Sequence, residues 1–143
     1  MTACLYIAVD PHDTLYVVSE VYKPGLIVSD AAQAIKDAEP RKQDYMTYAP
    51  PDIWSRTKDT GRTMAEIFLD CGIPLIKASN DRIQGWMQLH ERLKRIPDPT
   101  GDGETARMKI FSTCKNLIRC ISTIKADEKN CNDCAKEPHE IGR

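Results

Sequence analysis

No apolar run in this chain approaches the roughly 18 residues that a membrane-spanning helix needs, so no such helix is expected. Nor does Met1-Thr2-Ala3-Cys4-Leu5-Tyr6 offer the basic n-region and apolar h-region of a secretory leader. Net charge is all but missing: 20 Lys and Arg stand against 21 Asp and Glu, a formal −1. Bulk attraction to nucleic acid is thereby excluded, and any such contact must come from local basic patches. Glycine and proline, at seven and nine residues, are too sparse for a collagen-like or disordered chain. The six cysteines are about 4% of the residues, below the roughly 8–10% of a disulfide scaffold. Without a leader they read as reduced thiols. What remains is an ordinary composition, 41% hydrophobic and 29% charged over 143 residues. A chain of this length can bury about two-thirds of its unfolded surface. The expectation is one soluble intracellular domain, residues 1–143, ending in a polar tail over 125–143.

The elements follow from local pattern. Residues 4–9 and 14–22 are rich in Val, Tyr, Ile and Leu, and Asp10-Pro11-His12-Asp13 separates them, which predicts an antiparallel hairpin. Pro24-Gly25 breaks the second strand, and Ser29 or Asp30 caps a short helix over 31–38 that Pro40 stops. A strand over 44–48 ends at Ala49-Pro50-Pro51, which puts Asp52 at or just past a strand end. Met64, Ile67, Phe68 and Cys71 recur at helical spacing, and Gly72 is the stop. A strand over 73–78 follows, then a helix over 82–95 capped by Asn80 or Asp81, with Ile83, Trp86, Leu89 and Leu93 as its stripe. Residues 97–103 read as a flexible loop, 106–111 as a strand and 114–124 as a helix. The order β-β-α-β-α-β-α-β-α implies an α/β fold, a mixed sheet flanked by helices. No repeat or low-complexity segment interrupts it.

Few side chains offer chemistry. Cys131-Asn132-Asp133-Cys134 is a CxxC pair, but Cys114 and Cys120 are spaced too widely to be the second pair of a four-thiolate zinc site. Incidental thiols fit that spacing better. A thioredoxin-type pair would follow a strand and open a helix, whereas this one sits in a polar tail. His12, His90 and His139 are scattered, with no Cys or Ser in a nucleophile context. Asp52 stands where α/β folds place functional groups, although a turn role is the commoner use of an Asp there. Arg56, Lys58 and Arg62 follow it and could meet phosphate; Arg92, Lys94 and Arg95 suit the negative end of a helix dipole.

One string carries a stronger signal. Tyr48-Ala49-Pro50-Pro51-Asp52-Ile53-Trp54-Ser55-Arg56, then Asp59-Thr60-Gly61-Arg62-Thr63-Met64-Ala65-Glu66-Ile67-Phe68, resembles the large terminase subunit of tailed phages and prophages. So do Lys77-Ala78-Ser79-Asn80-Asp81-Arg82-Ile83-Gln84-Gly85-Trp86, Cys114-Lys115-Asn116-Leu117-Ile118-Arg119, residues 127–133, and Glu137-Pro138-His139-Glu140-Ile141. The resemblance spans nearly the whole chain and lies in that family's C-terminal nuclease domain, which implies a ribonuclease H-like fold. It implies a hydrolase that cuts concatemeric double-stranded DNA during packaging, using acidic residues that hold Mg²⁺ or Mn²⁺. Two such ions activate water and stabilise the leaving oxygen. Asp52 matches the acid at the end of the fourth strand, so the resemblance assigns it a catalytic, metal-binding role and makes Arg56, Lys58 and Arg62 DNA-backbone contacts.

The departures are specific. The family's first catalytic aspartate lies on a strand upstream of the match to Thr2-Ala3-Cys4-Leu5-Tyr6. Its last metal-binding motif follows the match to 137–141, where this chain reads Gly142-Arg143. The expected fold therefore lacks its first strand and its C-terminal catalytic helix. There is no glycine-rich phosphate loop with Lys-Ser or Lys-Thr, so an ATP site and an ATPase domain are not expected. One carboxylate of three holds two hard cations poorly. The expectation is weak metal binding and impaired cleavage, in a prophage remnant or one piece of a split gene. Its alternative is a non-catalytic module that binds DNA or packaging proteins. Partners would be double-stranded DNA and the ATPase part of terminase, the small subunit or the portal, in the cytoplasm of a bacterial host with no membrane contact.

Overall fold

The computed structural model describes residues 1–41, 44–131 and 133–135. The match at 137–141, with His139, therefore lies outside the described residues, as does Asn132 of the CxxC pair. The chain divides into two compact units, Met1–Cys4 with Val21–Asn80, and Leu5–Glu20 with Asp81–Arg143.

Two strands rich in β-branched and aromatic residues, β1 (Thr2–Val9) and β2 (Leu15–Lys23), form the expected hairpin. Its turn is organised by one side chain. The Asp10 carboxylate accepts from the backbone N–H of His12 at 2.8 Å and of Thr14 at 2.9 Å, and from the Tyr16 hydroxyl at 3.3 Å. The Asp10 N–H donates to the Thr14 carbonyl at 3.1 Å, and Asp13 takes a left-handed φ of 62°, which aspartate tolerates. The Thr14 N–H, ahead of the His12 N–H and the Tyr16 hydroxyl, holds the Asp10 carboxyl below its ordinary range.

The first unit carries α1 (Val28–Asp37), β3 (Thr47–Ala49), a single 3-10 turn (Pro51–Trp54), α2 (Met64–Asp70) and β4 (Leu75–Lys77). Helix α1 begins upstream of the expected cap: Ile27 is the N-cap and makes no side-chain hydrogen bond, while Asp30 lies in the first turn, against the positive end of the dipole. Packing decides this start, because Leu26 and Val28 lie against the apolar cluster of Ala31, Ala32, Phe68 and Ile73. Helix α2 is capped reciprocally. Thr63 Oγ1 accepts from the Glu66 N–H at 3.1 Å and Glu66 Oε2 accepts from the Thr63 N–H at 2.8 Å. It ends at Gly72, whose φ of 84° and N–H to the Leu69 carbonyl, 2.9 Å, turn the chain so that the Ile73 N–H reaches the Phe68 carbonyl at 2.9 Å. Burying Phe68 and Ile73 contributes on the order of 2 kcal/mol each. Strands β3 and β4 pair in parallel, with Tyr48 opposite Ile76 and Ala49 opposite Lys77.

The second unit carries α3 (Arg82–Leu93), β5 (Ile96–Pro97), β6 (Glu104–Thr105), β7 (Met108–Ile110) and α4 (Lys115–Thr123). Asp81 caps α3 through the Gln84 N–H at 3.0 Å. The loop expected over 97–103 is the turn of a small antiparallel hairpin, β5 with β6, closed by Asp98 N–H to Gly103 carbonyl at 3.0 Å. Asp98 also accepts from the Thr100 hydroxyl and N–H, which lower its carboxyl pKa. Strand β7 lies parallel to β2, Val17 opposite Ile110, so the sheet β1-β2-β7 is mixed. Val17 and Cys114 are fully buried here. The chain is thus an α/β protein with four helices and a small mixed sheet among the described residues; its remaining strands form the parallel pair β3-β4 and the β5-β6 hairpin. The start of the polar tail closes on itself, with Ala126 bridged to Cys134 and the Ala135 N–H on the Lys125 carbonyl at 2.9 Å. No helix among the described residues is long and apolar enough to cross a membrane.

Candidate functional site

The carboxyl ends of parallel strands are where α/β sheets present ligand-binding groups. The β3-β4 pair has such an end in the first unit. After Ala49, two prolines prevent further pairing and turn the chain into the 3-10 turn. That turn carries Asp52, exposed, in its first residues, three positions beyond the last residue of β3. The Asp52 carbonyl accepts from the Ser55 N–H at 3.0 Å. Trp54 ends the turn, half-buried, with the Lys77 ammonium 5.4 Å from its ring centroid. That distance is a cation–π contact, and it follows from register, since Lys77 closes β4 directly opposite Ala49.

Three more cations follow on a closed loop. Arg56 is bridged to Thr63 by antiparallel backbone pairing. Inside the loop the Thr57 N–H donates to the Arg62 carbonyl at 3.1 Å and the Gly61 N–H to the Thr57 carbonyl at 3.0 Å. The Thr57 and Thr60 hydroxyls lie 2.7 Å apart. Gly61 takes φ of 66°, which this tight return requires. Arg56, Lys58 and Arg62 are all exposed on this frame. They are not equivalent. Arg62 donates to Asp70 of α2, and that hydrogen bond and charge hold its proton more tightly than usual. Among the described residues, Arg56 and Lys58 form no ion pair. Asp59 shares the loop, exposed, and moderates its field.

Asp52, Arg56, Lys58 and Arg62, all singled out in the sequence, thus fall on one continuous segment at the strand ends. Lys77 and Trp54 were not singled out as site residues; a cation in the strand after α2, in parallel register with β3, was the available signal. A two-metal centre asks for several converging oxygens. The described residues do not fit one here: Asp59 is exposed on the loop, Glu66 is committed to the Thr63 N–H, and Asp70 to Arg62. Among the described residues, no three His, Cys, Asp or Glu side chains stand together where they could hold a metal ion.

The second unit holds the other sequence candidates. Arg82, Trp86 and His90 recur every four residues on α3. Trp86 and His90 line a cavity of about 110 Å³ with Cys131, Asp133 and Cys134, and Arg82 pairs with Asp133. Cys114 is apart from this group, buried at the start of α4, with its thiol on the Val17 carbonyl at 3.7 Å. Burial first, then the charge of Glu20, raises the Cys114 pKa and keeps the thiol neutral. His12 lies in the hairpin turn. Arg92 donates to the Asp13 carbonyl and, at 3.1 Å, to its carboxylate, so it is a structural contact and not a free cation at a helix end. No protein-family model, no curated protein and no solved structure matches the chain.

Proposed function

We propose that this chain is a relative of the terminase nuclease domain, with a ribonuclease H-like ancestry to its α/β fold, that contacts the backbone of double-stranded DNA without cutting it. The observation that carries the reading is the set of exposed cations at and just beyond the carboxyl ends of β3 and β4, Arg56, Lys58 and Lys77, the last of them over the half-buried Trp54 ring. Arginine and lysine on a hydrogen-bonded frame suit phosphate contacts, which position a protein on DNA without reading sequence. Asp52 and Asp59 on the same segment weaken such binding, and the near-neutral charge of the chain adds no long-range pull. Packaging proteins that present a phosphate-like acidic surface would use the same group. Cleavage is no part of the reading, because Asp52 lacks the converging carboxylates among the described residues that Mg²⁺ or Mn²⁺ would need.

The test is fluorescence anisotropy of a labelled duplex titrated with the full chain at low and at moderate salt. The expected result is weak, salt-sensitive binding that Arg56→Ala and Lys58→Ala each weaken, by more than Arg62→Ala does. No binding at the lowest salt would reject the proposal. A parallel plasmid-nicking assay in Mg²⁺ or Mn²⁺ should show no cutting; nicking that Asp52→Ala abolishes would replace this reading with an active nuclease.

A further inference from the structure

The CxxC pair takes no part in the cation segment, yet the fold gives it a defined setting. Cys131 and Cys134 are both free thiols, the first exposed and the second half-buried. Both border the cavity of about 110 Å³ that Trp86 and His90 of α3 also line, and of the six cysteines only these two do. Backbone bonds hold Cys134 in place. It is bridged to Ala126, and beside it the Asp127 N–H donates to the Asp133 carbonyl at 2.8 Å and the Ala135 N–H to the Lys125 carbonyl at 2.9 Å. The Asp133 carboxylate accepts from the Cys134 N–H at 2.8 Å and pairs with Arg82, which ties this clasp to α3. A clasp of so few hydrogen bonds in a polar segment opens locally at little cost. A covalent link between its two thiols would change that.

We propose that Cys131 and Cys134 close reversibly into a disulfide that locks the start of the tail against α3, with a low-molecular-weight disulfide, oxidised glutathione, as the oxidant. The Cys131 thiolate attacks one glutathione sulfur, the glutathione S–S bond breaks, and one glutathione leaves as its thiolate. The Cys134 thiolate then attacks the Cys131 sulfur, the mixed S–S bond breaks, and the second glutathione leaves. Two thiols of the chain are oxidised and one glutathione disulfide is reduced to two thiols. The protons given up by the two cysteines end on the two glutathiones. Exposure sets the order: the reagent reaches Cys131, and the half-buried Cys134 on the same cavity resolves the mixed disulfide. The pair is a clasp and not a thioredoxin-type catalyst, because it opens no helix among the described residues.

The test equilibrates the full chain in glutathione buffers from reduced to oxidised, blocks remaining thiols with an alkylating reagent, and maps the products by mass spectrometry. Hydrogen exchange is followed on the same samples. The expected product has lost two hydrogens, carries its disulfide between Cys131 and Cys134, and reverts with dithiothreitol. Its Asp127 and Ala135 amides should exchange on the order of tenfold more slowly than in the reduced chain. Cys131→Ser and Cys134→Ser should each abolish both changes, and Cys120→Ser neither. A pair that stays reduced in oxidised buffer overturns the proposal, as does glutathione left undisplaced on Cys131 or a disulfide made to another cysteine. A disulfide that forms without slowing exchange overturns the clasp. Should a serine variant fail to fold, the mapping and exchange of the unaltered chain decide on the same criteria.

Discussion

Glu20 shows how much one side chain can settle. Helix α4 begins at Cys114, which gives no side-chain cap and is buried with its thiol turned to the Val17 carbonyl. The first-turn amides are satisfied from β2 instead. The Glu20 carboxylate accepts from the Asn116 N–H and the Leu117 N–H, each at 2.9 Å, and from the Asn116 side-chain amide at 3.0 Å. A negative charge on open helix N–H groups is favourable on two counts, hydrogen bonding and dipole. Glu20→Ala should therefore lower the stability of the chain by about 1–2 kcal/mol, and Glu20→Gln, which keeps an acceptor but loses the charge, by less. The midpoint of urea denaturation checks this order. Equal losses for the two variants would mean that packing of the Glu20 stem, not capping, is what matters.

At the scale of the element, the N-terminal hairpin depends on pH through its turn. Asp10 accepts three hydrogen bonds, and its carboxyl sits below the ordinary range chiefly because of the Thr14 N–H. A carboxyl depressed in the folded state contributes stability that is fully present above its unfolded value, near pH 4. The contribution is lost as pH falls through the lower folded value. Following the His12 and Thr14 amide resonances through an acid titration should show the turn loosening below pH 4, and Asp10→Asn should remove that dependence. The elements themselves were legible wherever the signal was local. Alternation gave the hairpin, the spacing from Met64 to Cys71 gave α2, and Gly72 marked its end with a left-handed φ. The β5-β6 hairpin escaped notice because two residues a side leave no period to read. The start of α1 was misplaced because core packing around Leu26 and Val28 outweighs the capping preference of Ser29 and Asp30. The cap of α4 was invisible because it comes from β2, far away in sequence. The candidate site was half legible for the same reason. Asp52 and the cations after it are contiguous, but Lys77 joins Trp54 only through the parallel register of β3 and β4.

For the whole molecule, a formal charge of −1 removes any long-range field that would draw the chain to DNA, so the local cations must account for all of the salt dependence. Each phosphate neutralised on duplex DNA releases about one condensed counterion, giving a slope of log Kobs against log salt near −0.9. Arg56, Lys58 and Lys77 engaged together thus set a slope of about −3, far shallower than that of a basic DNA-binding domain. Arg62 adds little while Asp70 holds its guanidinium. Asp70→Asn removes that competition, so it should tighten duplex binding and steepen the slope by about one unit. The measurement is anisotropy of a labelled duplex over a series of potassium chloride concentrations, with the unaltered chain and the variant side by side. A slope well beyond −3 for the unaltered chain would place the contact on other cations. An unchanged slope for Asp70→Asn would leave Arg62 as a strut of the loop and α2, with no part in the contact.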